Sequence, residues 1–499
     1  MGIVQSQSIR NTVITFFGFG IGAINALFLY TNFLGKMHYG IVSTILSGAN
    51  LMMPFMAFGA QNTLIRFFSH YKTEQKREEF LTFMLFFPLL LIVPISLLFY
   101  VFYTPISNGW VIENASLKPF FWLIPVVGLF MAYFEVFYAW VKVQMKSVVG
   151  NLISEVLYRL VIMMLLIAVH FDWITKDTCV YGIALSYLAQ LIGMKIYAFS
   201  VKRPVLRWVI PENIKDIVQY SFFIIVSGGV AVMLVDFDKV MIPHYKEISQ
   251  NALYAVAIFI ATVIAVPSRA MTQIVAPITA KLLVENKHDE LNELYKKSAI
   301  NLQIIGGFLM MLIFLNIKQL YLLIPNNYSG GIGVVFMIGL SKFYDVLLGN
   351  NNSIIVNTKY YRMVLLFGVF TVFLMIGLNM LLIPTYGIFG SALATLITVA
   401  IYNTIKLIFV VKKMNLYPFT DKTLYSLGIL GVCFSIFYFW DFHFGGIYVG
   451  KFCISPIINI ALKSILITVF YLVVNYKLAI SEEFNQVSNS ILKKAKFIK

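Results

Sequence analysis

Charged residues are scarce in this sequence. Asp, Glu, Lys and Arg make up 12% of its 499 residues, which is about half of the share that is usual for a soluble domain. Apolar residues make up 60%, and the mean hydropathy is +0.84. This composition excludes a soluble domain and predicts an integral membrane protein with many membrane-spanning segments.

Cysteines and catalytic motifs are scarce as well. The three cysteines, Cys179, Cys433 and Cys453, form no CxxC pair and have no zinc-ligand spacing. The sequence contains no HExxH, GxSxG or P-loop motif, and its six histidines are not clustered. We therefore predict no metal site, no cofactor and no catalytic residue, and an enzyme is not the expected class.

Long apolar runs are the dominant feature of the sequence. Runs of about 20 residues or more predict an all-α integral membrane protein with about fourteen transmembrane helices. The predicted spans are 9–33, 40–69, 80–104, 117–142, 150–170, 179–199, 215–243, 251–281, 298–324, 331–357, 363–383, 388–411, 424–440 and 453–476.

The basic residues are distributed unevenly between the predicted loops. With the N-terminus inside, and with basic residues at the very ends of spans counted with the adjoining loops, 24 of the 38 Lys and Arg residues lie in cytoplasmic loops and termini, five lie outside, and nine lie within spans. This bias follows the positive-inside rule, so we predict that both termini are cytoplasmic. Membrane topology accounts for the net charge of +16, and nucleic-acid binding is not expected.

An internal repeat divides most of the chain into two halves. The segments YGIALSYLAQLIGMKIY (Tyr181–Tyr197) and YGIFGSALATLITVAIY (Tyr386–Tyr402) are identical at ten of 17 positions, at an offset of 205 residues. Both segments begin on the same side of the membrane, which is typical of transporters built from parallel repeats. The alternative explanation is that such residues are simply common in membrane helices.

The repeat predicts two six-helix lobes and two additional C-terminal helices. The predicted regions are an N-lobe (1–200), a cytoplasmic linker (201–216), a C-lobe (217–414), spans 13 and 14 (415–478) and a basic tail (479–499). In the tail, apolar residues recur at helical spacing, namely Ile480, Phe484, Val487 and Ile491. This spacing predicts an amphipathic helix on the anionic inner leaflet, with a frayed terminus as the alternative.

One apolar stretch carries a deeply placed arginine. Asn251–Lys281 is apolar enough to cross a bilayer, yet it contains Arg269 between Pro267 and Pro277. Arg269 would lie near the membrane midplane, where a guanidinium costs at least about 2.5–3.5 kcal/mol. Such a residue normally faces a bundle interior or a wet cavity and meets an anion of the protein or of a ligand. A permanent acidic partner on a neighbouring helix is the alternative.

Three further basic residues are candidates for binding an anionic substrate. Arg159 and Lys342 lie too deep in their spans to reach the headgroups easily, and with Arg269 they could line one central cavity. Arg66 lies near an inner end, where extension of its side chain to the headgroups is the alternative.

Acidic residues within the spans are candidates for coupling to protons or sodium ions. Glu155 lies four residues before Arg159, and Asp345 lies three after Lys342, so each acid shares a helix face with a base. The alternative is a neutralising pair within one helix. Asp238 is the third candidate, and its alternative role is to orient the turn before Pro243.

Uncharged polar residues within the spans are candidates for binding sugar hydroxyl groups. Asn25, Gln273 and Asn301 are the residues that we assign to such contacts. Hydrogen bonding between helices is the alternative explanation for amides at these positions.

Four stretches carry a resemblance to a known family. They are GAQNTLIRFFSHYKTEQKREEF (Gly59–Phe80), DFDKVMIPHY with NALYAVAIF across spans seven and eight, VPSRAMTQIVAPITAKL (Val266–Leu282) and YGIFGSALATLITVAIYNTIKLIFVVKKM (Tyr386–Met414). Together they resemble the Wzx-type polysaccharide flippases of the multidrug/oligosaccharidyl-lipid/polysaccharide exporter superfamily. With the hydropathy pattern, the likeness covers essentially the whole chain.

The resemblance implies a fold and a function. It implies two six-helix lobes around a central cavity, plus two extra helices. It also implies that undecaprenyl-pyrophosphate-linked oligosaccharide is flipped from the cytoplasmic to the outer leaflet of the bacterial cytoplasmic membrane, for surface polysaccharide, lipopolysaccharide or O-antigen synthesis. Alternating access driven by a proton or sodium gradient would power the step. The implied partners are the lipid-linked oligosaccharide and the polymerase and glycosyltransferases of the pathway.

The resemblance also bears on the site residues. In such proteins basic residues lining the cavity meet the pyrophosphate, and Arg269 is the matching candidate here. Lys342, Arg159 and Arg66 are assigned from their depth and charge. The first alternative is a small-molecule exporter of the same superfamily, which prefers cations and would favour acids at the deep positions. The second is a membrane glycosyltransferase or polymerase, which the short external loops and the repeat disfavour.

Overall fold

The computed structural model describes residues 2–111, 114–205, 207–325, 327–442, 446–449 and 452–494. The α-helices are α1 (Gly2–Ile24), α2 (Gly35–Met56), α3 (Ala60–Phe67), α4 (Glu74–Phe86), α5 (Leu89–Val101), α6 (Tyr103–Val111), α7 (Leu123–Val143), α8 (Ser147–Leu152), α9 (Tyr158–His170), α10 (Lys176–Val201), α11 (Ile214–Tyr245), α12 (Ile248–Thr262), α13 (Val266–Val284), α14 (His288–Leu323), α15 (Ile332–Leu347), α16 (Asn351–Val356), α17 (Tyr361–Met414), α18 (Asp421–Phe437), α19 (Ser455–Lys477) and α20 (Glu482–Lys494). Two segments are π-helical, Asn25–Leu34 and Ile153–Leu157, and the short strands β1 (Tyr448–Val449) and β2 (Phe452–Cys453) pair antiparallel.

The prediction of an all-α membrane protein is confirmed. Within the described residues, 11 helices are long and apolar enough to cross a membrane. The predicted count of fourteen is not confirmed. The long helix Arg362–Met414 covers two predicted spans, and Arg10–Met56 combines the first predicted span with residues 40–56 of the second. The predicted thirteenth span corresponds to α18, which has 17 residues.

Glycines interrupt both of these long helices. Gly387 lies inside α17 with φ 59° and ψ −137°, so the helix changes direction there. Gly35 has φ 75° and is the first residue of α2, directly after the first π-helical segment. Both positions fall between predicted spans, and both backbone conformations favour glycine because it has no Cβ.

The first compact unit, called unit 1, comprises Met1–Ala255 and Asn379–Ser391. Within it α2 packs against α7 and α11, and α10 packs against α7 and α9. Small residues permit close packing in membrane helices. At Gly40, for example, a Cβ would lie 2.0 Å from the carbonyl oxygen of Ile248.

The second compact unit, called unit 2, comprises Val256–Leu378 and Ala392–Lys499. Within it α14 packs against α13, α15, α18 and α19. The Gln303 amide of α14 donates to the Thr423 carbonyl oxygen at 3.0 Å. The two compact units are defined by which residues contact each other, whereas the predicted lobes are defined by the internal sequence repeat. The lobe boundaries therefore stay a prediction.

The predicted cytoplasmic linker is fastened to α4 within unit 1. The Lys202 ammonium lies 2.6 Å from a Glu74 carboxylate oxygen and 2.7 Å from one of Glu78. Hydrogen bonds to Glu74 and Glu78 raise the pKa of the Lys202 ammonium. The Thr82 hydroxyl also donates to the Val205 carbonyl oxygen at 2.7 Å.

The predicted tail helix corresponds to α20. Ile480, just before it, is buried, whereas Val487 is 58% exposed. The Ser481 hydroxyl donates to the Asn301 side-chain oxygen at 2.6 Å, which anchors the start of the helix on α14. The side chain of Ile491 and residues 495–499 lie outside the part that the structure describes, and membrane binding by the tail stays a prediction.

Candidate functional site

Arg269 lies just after a break in the apolar stretch Asn251–Lys281. The predicted single span is divided into α12, a 3₁₀ turn at Val263–Ala265, and α13. Pro267 occupies the first turn of α13, where its missing N–H has little cost. Arg269 therefore belongs to the start of a new helix in unit 2.

The guanidinium of Arg269 is exposed. No ion pair or hydrogen bond to it is present among the described residues, so the alternative of a permanent acidic partner is not observed there. Lys281 on the same helix is different, because its ammonium lies 3.8 Å from Glu285. Gln273 is also exposed, and a spacing of four residues puts it on the face of Arg269.

A second group of charged residues in unit 2 lies on α15 and α17. On α15, Lys342 is half-buried and Asp345 is exposed. An Asp345 oxygen accepts from the Asn403 amide at 3.2 Å. Lys406 is only 4% exposed, and its ammonium lies 4.2 Å from the centre of the Tyr402 ring. This distance is typical of a cation–π contact. Asp345 also lies close enough to Lys406 for the two charges to attract each other.

Sequence reasoning did not select Lys406 as a site residue. Its position near the inner end of a predicted span favours a side chain that reaches the headgroups, but the structure buries it. A single sequence does not reveal which face of α17 is turned inward. The nearby Tyr402 and Asn403 are a weak signal, because polar residues one turn apart mark a polar face.

The predicted pair of Glu155 and Arg159 is present in unit 1. The second π-helical segment carries Glu155, and its carboxylate lies 3.2 Å from Nη2 of Arg159. Nε of Arg159 donates to the Tyr158 hydroxyl at 2.9 Å. Nη1 is buried without a hydrogen-bond partner in the described residues. A buried donor of this kind is costly unless an acceptor reaches it, so the guanidinium retains capacity for a ligand.

Helix α1 and the following π-helical segment close over this pair. A Cβ at Gly18 would lie 2.3 Å from the Glu155 carbonyl oxygen, so only glycine permits the approach. The Asn25 amide donates to the Arg159 carbonyl oxygen at 2.9 Å, and Asn25 is 4% exposed. Its side-chain oxygen has no hydrogen-bond partner in the described residues. The structure thus brings Asn25, Glu155 and Arg159 together.

A second ion pair of unit 1 lies nearby. The Lys239 ammonium is 2.7 Å from Asp236, which also accepts from the Asn50 amide at 3.2 Å. The Tyr187 side chain lies close enough to both Asp236 and Arg159 to feel their charges. Neither member of this pair is among the predicted site residues.

Asp238 lies in a separate buried network of unit 1. It is 2% exposed and accepts hydrogen bonds from the Tyr254 hydroxyl and from the Asn379 amide, the latter at 3.0 Å. The Asn379 side-chain oxygen accepts in turn from Ser391 at 2.9 Å. These hydrogen-bond donors to Asp238 are neutral groups.

The remaining predicted site residues are Arg66 and Asn301. Arg66, at the end of α3, is exposed, and its guanidinium carbon lies 4.3 Å from the centre of the Tyr220 ring. Asn301 bonds Ser481 at the start of the tail. The structure therefore places these two residues in other surroundings than Arg159 and Arg269, and the roles of all predicted site residues stay predictions.

Comparison with known proteins defines the class. A lipid II flippase MurJ in an inward closed conformation has 16% sequence identity and a TM-score of 0.70, with 95% of this chain and 100% of that chain covered. An inward-facing multidrug resistance MATE transporter of the MOP superfamily has 11% identity and a TM-score of 0.60, with 85% and 98% covered. MATE in complex with MaL6 has 12% identity and a TM-score of 0.55, with 85% and 96% covered. The chain is an integral membrane protein with the fold of these transporters.

The family follows from the sequence match. Residues 6–283 match the family described as polysaccharide biosynthesis protein, and the chain belongs to this family. The predicted resemblance is thereby confirmed at the level of a polysaccharide biosynthesis family. No curated protein matches the sequence.

Proposed function

We propose that this protein flips an undecaprenyl-pyrophosphate-linked oligosaccharide from the cytoplasmic to the outer leaflet of the bacterial cytoplasmic membrane. The flipped lipid would serve surface polysaccharide synthesis, such as that of lipopolysaccharide O-antigen. Membership of a polysaccharide biosynthesis family and a fold shared with a lipid flippase support the proposal. The main observation in support is Arg269. It is exposed, it has no ion-pair partner among the described residues, and it lies in a helical stretch that is apolar enough to cross a membrane.

The chemistry of the substrate fits these groups. A pyrophosphate that crosses about 30 Å of hydrocarbon needs cationic partners along its path. The guanidinium of Arg269 can bond two phosphate oxygens at once, and Nη1 of Arg159 is a second donor without a partner in the described residues. Gln273 and Asn25 lie beside these arginines and can bond sugar hydroxyl groups. The prenyl chain needs no polar partner and can stay in lipid.

Three acids suit a role in coupling flipping to an ion gradient. Asp238 is buried and accepts hydrogen bonds from Tyr254 and Asn379, and buried carboxylates within membrane spans are typical sites for the uptake of a proton or a sodium ion. Glu155 is paired with Arg159. A phosphate that binds Arg159 competes with Glu155 and leaves this carboxylate able to take a cation. Asp345 is the corresponding candidate in unit 2. The protein would then be a secondary transporter rather than an enzyme.

The test is a flipping assay with purified protein in vesicles that contain the fluorescent pyrophosphate-linked lipid. Arg269→Ala should slow flipping by about 10- to 100-fold, because a hydrogen bond to a charged group is worth about 1.5–3 kcal/mol. Arg269→Lys should retain part of the activity, since it keeps the charge but loses the two-pronged geometry. Lys281→Ala is the matched control on the same helix and should flip normally. Wild-type rates for Arg269→Ala would refute the assignment.

A small-molecule exporter is the second candidate, because the multidrug transporter has a similar fold. Such exporters favour cations, whereas Arg269, Arg159 and Lys406 would repel them. Export of cationic dyes by a protein that does not flip the lipid would support this candidate. The pathway's polymerase and glycosyltransferases are the proposed partners of the flippase, and the proposed location has both termini in the cytoplasm.

A further inference from the structure

A polar pocket of unit 1 lies where the loop between α9 and α10 meets the end of the first π-helical segment. Its volume is about 370 Å³. Its polar and aromatic lining consists of Asn32, Phe33, His170, Asp172, Thr175 and Lys176. The positive-inside distribution of charge predicts that this loop lies on the outer, non-cytoplasmic side of the membrane.

A row of aromatic rings leads from the pocket wall to the surface. The Phe33 and His170 rings stack with centres 4.5 Å apart, and His170 lies 5.1 Å from Phe171. Phe171 stacks on Trp173 at 5.6 Å. Phe171 is 58% exposed and Trp173 is 76% exposed. Ring faces at the outer end of the row are therefore available to a ligand.

Polar groups of the pocket are also available. Neither Asp172 nor Lys176 forms an ion pair or a side-chain hydrogen bond with any described residue. The adjacent Asp177 is different, because it pairs with His38 at 2.9 Å. The pocket thus presents one carboxylate and one ammonium with free hydrogen-bonding capacity beside an aromatic surface.

We propose that this pocket binds a hydroxyl-rich oligosaccharide. A pyranose ring has an apolar C–H face that can pack on an aromatic ring, and its hydroxyl groups both donate and accept hydrogen bonds. Asp172 accepts such bonds and Lys176 donates them, while Phe171 and Trp173 supply the apolar surface. This combination of an apolar wall with a few polar groups is typical of small-ligand sites.

The pocket would hold the glycan of the lipid after it has crossed the membrane. This role rests on the proposed flippase function and on the predicted outside position of the loop. Retention of the glycan at the outer end would disfavour return of the pyrophosphate through the protein. The competing occupant is the lipid headgroup region, because exposed tryptophans are enriched at membrane interfaces.

The test measures glycan binding to the full-length protein in lipid nanodiscs. The probe is the free oligosaccharide released by mild acid from the prenyl-pyrophosphate lipids of the cells in which the protein works. Saturation-transfer NMR with titration gives the dissociation constant. Trp173→Ala should weaken binding about tenfold through loss of the ring surface. Asp172→Asn should cause a smaller loss, and asparagine tolerates the φ of 55° at this position.

Phe439→Ala is the matched control. Phe439 is 87% exposed, is predicted to lie on the same side of the membrane, and belongs to unit 2. This variant should bind the glycan as the wild type does. Absence of saturable binding by the wild type, or unchanged binding by both pocket variants, would overturn the proposal. The fluorescence of Trp173 is obtained by comparison with the Trp173→Phe variant. Strong quenching of this fluorescence by brominated lipids would show that the ring lies in the lipid, and it would overturn the proposal as well.

The flipping assay separates this proposal from the function on which it rests. Normal flipping with no glycan binding would remove the pocket site and leave the flippase function intact. Glycan binding that Trp173→Ala abolishes, in a protein that flips no lipid, would keep the site and remove the flippase function.

Discussion

Gly18→Ala should disturb the packing of α1 over the Glu155–Arg159 pair. Gly18 is buried, and a Cβ there would lie 2.3 Å from the Glu155 carbonyl oxygen. Gly20 on the same helix has no atom within 4 Å of its Cβ position. A Cβ at Gly22 would lie 3.5 Å from Nε of Arg159, which is an ordinary van der Waals contact. The three glycines therefore form an internally controlled series.

The structure sets the size of the effect. An ordinary contact begins at 3.4 Å, so α1 must move by about 1 Å to admit the methyl group of Gly18→Ala, and such overpacking typically costs about 1–3 kcal/mol. Alanine also gains up to about 1 kcal/mol of helix propensity over glycine. This gain applies to Gly18→Ala and Gly20→Ala alike, so it cancels when the two variants are compared. Gly18→Ala should be the less stable by about 1–3 kcal/mol.

The assay is thermal denaturation of the three purified variants in the same detergent, followed by flipping in vesicles. Gly18→Ala should unfold at a lower temperature than Gly20→Ala and Gly22→Ala, and it should flip more slowly because Arg159 is displaced. Equal thermal stability of Gly18→Ala and Gly20→Ala would refute the described contact between α1 and Glu155.

Further predictions concern Asp238, Lys406 and Lys202. Asp238→Asn should make flipping independent of the ion gradient, and a rate that still responds to the gradient would contradict the coupling role. Lys406→Met should slow flipping without loss of thermal stability, because replacing a buried charge by an apolar side chain is often neutral or stabilising; a loss of stability with normal flipping would indicate a purely structural lysine. Lys202→Gln should increase chymotryptic cleavage of the linker near Trp208 about fivefold, since the paired Lys202 contributes about 1 kcal/mol; unchanged cleavage would show that these ion pairs do not hold the linker.

The hydrophobic spans and the local charge pairs could be predicted from the sequence. A run of apolar residues is sufficient to indicate a membrane helix, and a spacing of four residues was sufficient to place Glu155 beside Arg159. Prolines weaken the hydrogen-bond ladder of a helix, and the structure has a 3₁₀ turn just before Pro267. Each of these features depends on residues that are close together in the chain.

Contacts between distant helices could not be predicted in this way. Asp238 bonds Asn379, which is 141 positions away, and hydropathy does not indicate which helices become neighbours. For the same reason the sequence did not show that Lys463 is buried and paired with Asp441 at 2.9 Å. The burial of Lys406 depends on how α17 is rotated about its axis. Because apolar residues occur on several faces of this helix, the sequence does not determine that rotation.

The most direct measurement compares two glycolipids in the same vesicles. They carry the same prenyl chain and the same oligosaccharide, and only one of them contains the pyrophosphate. The wild type should flip the pyrophosphate lipid at least about tenfold faster, because only that lipid can form charge-assisted bonds with the deep guanidinium groups. Arg269→Ala should reduce this preference. Equal flipping of both lipids by the wild type would contradict the claim that deep positive charge serves the passage of an anionic lipid headgroup.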